Sequence, residues 1–233
     1  MEQVYIFRRG GISITDPSLA VQDWQAKFDD LENIADGLGH GLDSGIKRTV
    51  LAIQLMGLET RLSCEGHTNW AHAAPNVFFE VPAPLPQELQ HSQDMNLLSE
   101  DDERMINREI QSPYSAKIYW NLKQHWLDIF YKDRHFDSNI ALEFEGAWSD
   151  GMEIGSLGRD FSQYLGPTER NKFLKASRQE MSDFTDFVLD KLFEGNIPQA
   201  IQDLPQLTEQ PLQTDTPEGY QPPGRRNIRY SID

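Results

Sequence analysis

The chain has 233 residues, enough for one core of fair size with tails, or for two small ones. Asp plus Glu number 37 against 21 Lys plus Arg, a formal charge of -16, and a field of that sign repels phosphate backbones and argues against general nucleic-acid binding. A single cysteine excludes an intrachain disulfide, and no apolar run approaches the roughly 18 to 20 residues of a membrane helix.

The N-terminal stretch lacks the apolar core and cleavage pattern of a signal peptide, so the expected location is the cytoplasm. Val4–Phe7 reads as a short strand. Asp16 and Pro17 then have the character of a helix N-cap and first helical residue, opening a helix that runs to about Gly37. The glycine-rich stretch 37–45 breaks that helix. Asp43 or Ser44 caps the next one, expected over Gly45–Met56, which Gly57 ends.

Residues 58–64, Leu-Glu-Thr-Arg-Leu-Ser-Cys, alternate and read as a strand. Leu58, Thr60, Leu62 and Cys64 share the phase expected to face the core, and Glu59, Arg61 and Ser63 share the other. Asn76–Val81 is a second strand, with Val77, Phe79 and Val81 in the core phase. The connection between these strands is too long for a tight hairpin, and long connections often carry function.

Residues 82–113 are rich in proline and acid and read as an exposed excursion with a helix near 99–111. Ser115–Arg134 follows as an amphipathic helix, with Ile118, Leu122, Trp126 and Phe130 among its apolar positions. Asn139–Glu145 and Met152–Leu157 read as two more strands, and Pro167–Glu194 as a long final helix. From residue 196 to 233 proline, glutamine and glycine dominate, which predicts a flexible tail behind a single domain over 1–195. Its local Gly-Arg-Arg-Asn-Ile-Arg-Tyr run, residues 224–230, is a basic patch on an acidic chain.

Helix-strand-loop-strand occurs at 45–81 and again at 115–157, the order that a repeated unit would give, though the side chains of the two stretches match poorly. The expected fold is therefore α+β, a small antiparallel sheet with helices packed on one face. The other face would carry Glu59, Arg61, Ser63, Phe78, Glu80, Ala141, Glu143 and Glu145, with Glu153 beside them. Such a crowd of carboxylates calls for cationic partners, from the protein or from a ligand.

The turn Ser63-Cys64-Glu65-Gly66-His67 is the best candidate for chemistry. Cys64, His67 and His72 have the C-x2-H-x4-H spacing of a zinc site, with Glu65 or His40 as a further ligand, although no second Cys/His pair follows at finger distance. Cys64 with His67 as base, and Glu65 nearby, is a candidate nucleophilic site. In a third reading the polar side of the turn is a binding site. Ser63, Glu65 and His67 then contact a small ligand or peptide, Trp70 forms a rim, and Arg61 and Glu80 contribute from the adjoining sheet. Plain turn chemistry competes with all three, because Ser, Glu and Gly are ordinary turn formers.

The stretch from Gly41 to His67, followed by 74–81, resembles a family of uncharacterised bacterial and phage-associated proteins. Gly41, Asp43, Gly57, Thr60, Ser63, Cys64, Gly66, His67, Pro75 and Val77 carry the likeness, which implies no activity. The turn is also similar to the Ser-Cys-x-Gly-Arg turn of the wybutosine-synthesis methyltransferase family. His67 stands where that family has arginine, so the likeness implies little about methyl transfer.

The leading expectation is a ligand-binding or accessory protein using the Ser63–His67 turn and the acidic sheet face. The first alternative is an enzyme, hydrolase or transferase, using Cys64, His67 and nearby carboxylates with or without a metal. The second is an acidic protein that occupies a basic protein surface, for which the runs at 29–36 and 99–104 supply charge.

Overall fold

The computed structural model describes residues 5–8, 11–14, 22–34, 41–68, 73–81, 99–148 and 151–211. No described helix is long and apolar enough to cross a membrane. At the N-terminus β1 (Tyr5–Arg8) pairs with β2 (Gly11–Ile14) as an antiparallel hairpin. The long helix expected from Asp16 to Gly37 is shorter where described. It comprises α1 (Trp24–Asp30), which tightens into a 3-10 turn over Leu31–Asn33.

The main sheet has four strands: β3 (Glu59–Cys64), β4 (Asn76–Glu80), β5 (Leu142–Trp148) and β6 (Gly151–Ser156). Their order is β3-β4-β6-β5 and all pairings are antiparallel. The chain is thus α+β, as expected. The hairpins β3-β4 and β5-β6 meet through β4 and β6, the arrangement that two helix-strand-strand units related by a local twofold would give.

One face of this sheet is the core. Val77, Phe79, Phe144, Met152 and Ile154 are each 1% exposed or less, and Phe79 meets Phe144 edge-on at 6.0 Å. The helix α2 (Lys47–Leu55) is buried on nearly every side, because it lies within that core rather than on the surface. Its polar residues are accommodated by the long helix α6 (Pro167–Phe193): Thr49 hydroxyl meets Thr185 hydroxyl at 2.9 Å, and Arg48 pairs with Asp186 at 2.9 Å.

Between β4 and β5 the chain is helical without a break from Glu100 to Tyr131. It passes through α3 (Glu100–Met105), a stretch of wide π-type turns over Ile106–Gln111, α4 (Ser112–Leu122), a second wide stretch over Lys123–Leu127, and α5 (Asp128–Tyr131). The first widening directly precedes Pro113, which has no N–H to donate and whose ring crowds the carbonyl four residues back; the wide turn relieves both. Part of the expected excursion is therefore core-linked. Ile106 and Gln111 are buried, and Gln111 Nε2 donates to the Val81 carbonyl at 2.7 Å, joining this helix to the end of β4. The 82–98 part lies outside the described residues.

The segment expected to begin a flexible tail also packs. Ile201, in the short helix α7 (Gln199–Gln202), is 0% exposed, and Leu207, in a 3-10 turn, is 2% exposed. Residues 212–233 lie outside the described residues.

Strict alternation along residues 58–64 does not hold. Thr60 pairs with Phe79, but Leu62, not Arg61, pairs with Phe78, so Arg61 is an extra residue in a β-bulge. The phase flips there. Ser63 shares the core face with Val77, while Leu62 and Cys64 share the outer face with Phe78 and Asn76. Leu62 is accordingly 55% exposed. Ala141 precedes β5 and is buried, so it too is absent from the outer face.

Four acids of the outer face, Glu80, Glu143, Glu145 and Glu153, have cationic partners within the protein. Glu145 and Glu153 oppose each other directly across β5 and β6, and Arg159 pairs with both. Asn76 Nδ2 donates to Glu153 at 2.6 Å, so a carboxylate only 5% exposed is held by two donors. Glu143 accepts from Tyr119 and lies 3.7 Å from Lys123, and Glu80 pairs with Arg61.

Candidate metal centre

The site forms where β3 ends. Cys64 is the last strand residue, and the chain turns directly after it, with the Glu65 and Gly66 carbonyls held by Arg178 of α6. Gly66 makes that turn with φ +81, a conformation that disfavours any side chain. A Cβ there would lie 2.7 Å from Leu174 Cδ1, 2.8 Å from the Ala74 carbonyl carbon and 2.9 Å from Pro75 N, so glycine is required for space as well as for φ. The turn aims the Gly66 N–H at Cys64 Sγ, 3.3 Å away, which fixes the sulfur and brings His67 round beside it.

Asp43 approaches from the loop before α2, where its carbonyl accepts from Ile46 N at 3.2 Å. One carboxylate oxygen of Asp43, the Cys64 sulfur and one ring nitrogen of His67 all lie within 4.8 Å of one another. His67 Nε2 is 3.6 Å from Asp43 Oδ2, an ion-pair distance just beyond a direct hydrogen bond. The His67 side chain is 10% exposed and that of Asp43 is 42% exposed, so the cluster is walled on the imidazole side and open to solvent on the carboxylate side.

Electrostatics follow from this geometry. Asp43 foremost, and then Cys64, favour the imidazolium and push His67 up to about 10 despite its burial. His67 in turn holds the Asp43 carboxyl below its usual range. Carboxylate, imidazole and thiolate are all zinc-class ligands. Tetrahedral zinc at ordinary bond lengths separates its ligand atoms by about 3.3–3.7 Å. The Asp43–His67 spacing of 3.6 Å already fits, and no spacing in the cluster, at 4.8 Å or less, needs to contract by more than about 1 Å.

A second layer of side chains surrounds the cluster. Arg178, on α6 and 2% exposed, donates from Nε to the Glu65 carbonyl at 3.0 Å and from one terminal nitrogen to the Gly66 carbonyl at 2.9 Å. Its other terminal nitrogen donates to the Gln210 carbonyl at 2.9 Å. The Glu65 carboxylate, 3.5 Å from Arg178, accepts from the Gly45 N–H at 3.3 Å. Burial foremost, and then the Asp43 charge, push Glu65 above its ordinary value.

No protein-family profile, no curated protein and no solved structure matches the chain.

Of the residues singled out in the sequence, the fold brings Cys64 and His67 together. Glu65 is 4% exposed and turned toward Arg178 and Gly45, not toward the cluster's open side. Ser63 faces the core side of the sheet, and Arg61 and Glu80 pair with each other at the far end of β3. Trp70, His72 and His40 lie outside the described residues. Asp43 and Arg178 are the residues that sequence reasoning did not place here. Asp43 read as a helix cap, although its place beside Gly41 at the entry to α2 was a usable signal. Arg178 lies in a plain amphipathic helix and gave none.

Proposed function

We propose that this protein binds a divalent cation of the zinc class through Asp43, Cys64 and His67, and works as a metal-dependent ligand-binding or accessory protein. The carrying observation is the convergence of a carboxylate oxygen, a sulfur and an imidazole nitrogen within 4.8 Å, from the loop before α2 and the turn after β3. The Gly66 N–H directed at the sulfur supports the same reading, because it presets Sγ before a cation arrives. The free cysteine suits a reducing compartment, where thiolates remain available as ligands. The solvent-facing side at Asp43 leaves room for a further small ligand on the ion.

Metal analysis of the purified, exhaustively dialysed protein tests this. Zinc retained by the wild type and lost from Cys64→Ser, His67→Gln and Asp43→Asn supports the reading. Equal zinc content in all four proteins, or none in the wild type after zinc is supplied, contradicts it.

A second reading rests on the same three side chains: Cys64 as nucleophile, His67 as its base and Asp43 orienting the ring. Alkylation kinetics separate the two. A bound cation protects Cys64 from iodoacetamide and chelation exposes it, whereas a nucleophile that needs no metal reacts equally in both conditions. Capture of a basic partner by the sheet face has less support, because Arg61, Arg159 and Lys123 already pair with its acids.

A further inference from the structure

We infer that Arg178 is a positioning residue for the metal centre, the buckle that holds the two ligand-bearing segments in register with the segment after α7. The inference rests on the metal reading of Asp43, Cys64 and His67.

Two of its five donors meet consecutive carbonyls, Glu65 and Gly66, which are the two residues between the ligands Cys64 and His67. The turn cannot open without breaking them. The third bond, to the Gln210 carbonyl, ties in the segment after α7. Gln210 itself lies across the entry to α2: its side chain accepts from Ser44 Oγ at 3.1 Å, and its Cγ would be 2.4 Å from a Cβ built on Gly45. Glu65 completes the ring. Its carboxylate faces Arg178 and also accepts the Gly45 N–H, two residues beyond Asp43. One guanidinium and one carboxylate thus join the Asp43 loop, the Cys64–His67 turn and the 207–211 segment.

Packing alone does not call for this arrangement. A buried arginine–glutamate pair is costly to desolvate, and apolar replacements of similar volume are often no less stable. The guanidinium's planar, divergent donors do what an apolar side chain or an ammonium group cannot, since they fix three carbonyls at set angles. Leu174 lies one helical turn earlier on the same face of α6 and packs against Gly66, so one stretch of helix both presses on the turn and holds its carbonyls. Groups that orient metal ligands from the second layer typically change affinity by about 10–100-fold when altered.

The test uses full-length protein and measures zinc affinity by competition with a chromophoric chelator, with thermal unfolding of the metal-free form in parallel. Arg178→Lys and Glu65→Gln break the buckle from opposite sides, so the test survives if one variant folds poorly. Phe144→Leu serves as a control that lowers stability in the core at a distance from the centre. The expected result is an affinity loss of about 10–100-fold in Arg178→Lys, a smaller loss in Glu65→Gln and wild-type affinity in Phe144→Leu. Wild-type affinity in both buckle variants overturns the inference, as does a loss in Phe144→Leu that matches theirs at equal destabilisation. Failure of the wild type itself to bind zinc overturns the metal reading on which the inference rests.

Discussion

His67 Nε2 lies 3.6 Å from Asp43 Oδ2, and this pairing sets how the metal-free protein responds to pH. The folded-state value of His67 is raised from an ordinary 6.5 to about 10. Its contribution to stability is therefore complete below pH 6.5 and is lost as the pH rises through about 10. On the acid side the depressed Asp43 carboxyl contributes above its ordinary 3.8, and that contribution goes as the pH falls through its lower folded value. Thermal unfolding of the chelated protein is expected to show a Tm that declines from pH 6.5 to 10, with the slope flattened in His67→Gln. The imidazole proton must leave before a cation enters, so zinc affinity is expected to rise with pH over the same window. A pH-independent affinity between 6.5 and 9 contradicts this.

Gly66→Ala is expected to cost about 2–4 kcal/mol, combining a left-handed backbone with an overpacked contact. The new Cβ meets Leu174 and the backbone of Ala74 and Pro75 at 2.7–2.9 Å, and two of those three atoms are backbone and cannot step aside. Denaturant unfolding measures it. A loss below about 0.5 kcal/mol would show that the turn adopts another conformation in solution.

Leu62 distinguishes the bulged register from simple alternation. At 55% exposure on the outer face, Leu62→Ala is expected to change stability by less than about 1 kcal/mol. Leu142→Ala, at a strand position 2% exposed, is expected to cost about 2–5 kcal/mol. Comparable losses in the two variants would place Leu62 in the core and remove the bulge.

These residues also show what the chain discloses before it folds. Alternation in β4 and β5, the apolar stripe of α6 and the glycine stop after α2 were legible, because each is a local pattern with a local cause. The bulge at Arg61 was not. One extra residue leaves the alternation of letters intact while reversing the faces beyond it, and so Cys64 read as a core residue and Ser63 as a ligand contact. Arg159 and Lys123, which pair with acids of the outer face, lie outside its strands, in the turn after β6 and in the helical stretch before β5. Residues 196–211 read as tail because their composition is poor in apolar groups, yet Ile201 and Leu207 are buried, Ile197 and Leu204 pack against the core, and Gln210 is hydrogen-bonded to Arg178. The metal candidate was half legible: Cys64 and His67 lie within one short turn, whereas Asp43 joins them only through tertiary contact.

Cobalt(II) titration of the full-length, metal-free protein at neutral pH tests the central claim most directly, because a thiolate ligand reports itself in a sulfur-to-cobalt charge-transfer band. The account predicts a saturable band at one cobalt per chain, with the visible absorption of a low-coordinate ion. The charge-transfer band should be abolished by Cys64→Ser, and the visible envelope altered by His67→Gln and by Asp43→Asn. No charge-transfer band in the wild type, or one that persists unchanged in His67→Gln and Asp43→Asn, would contradict it.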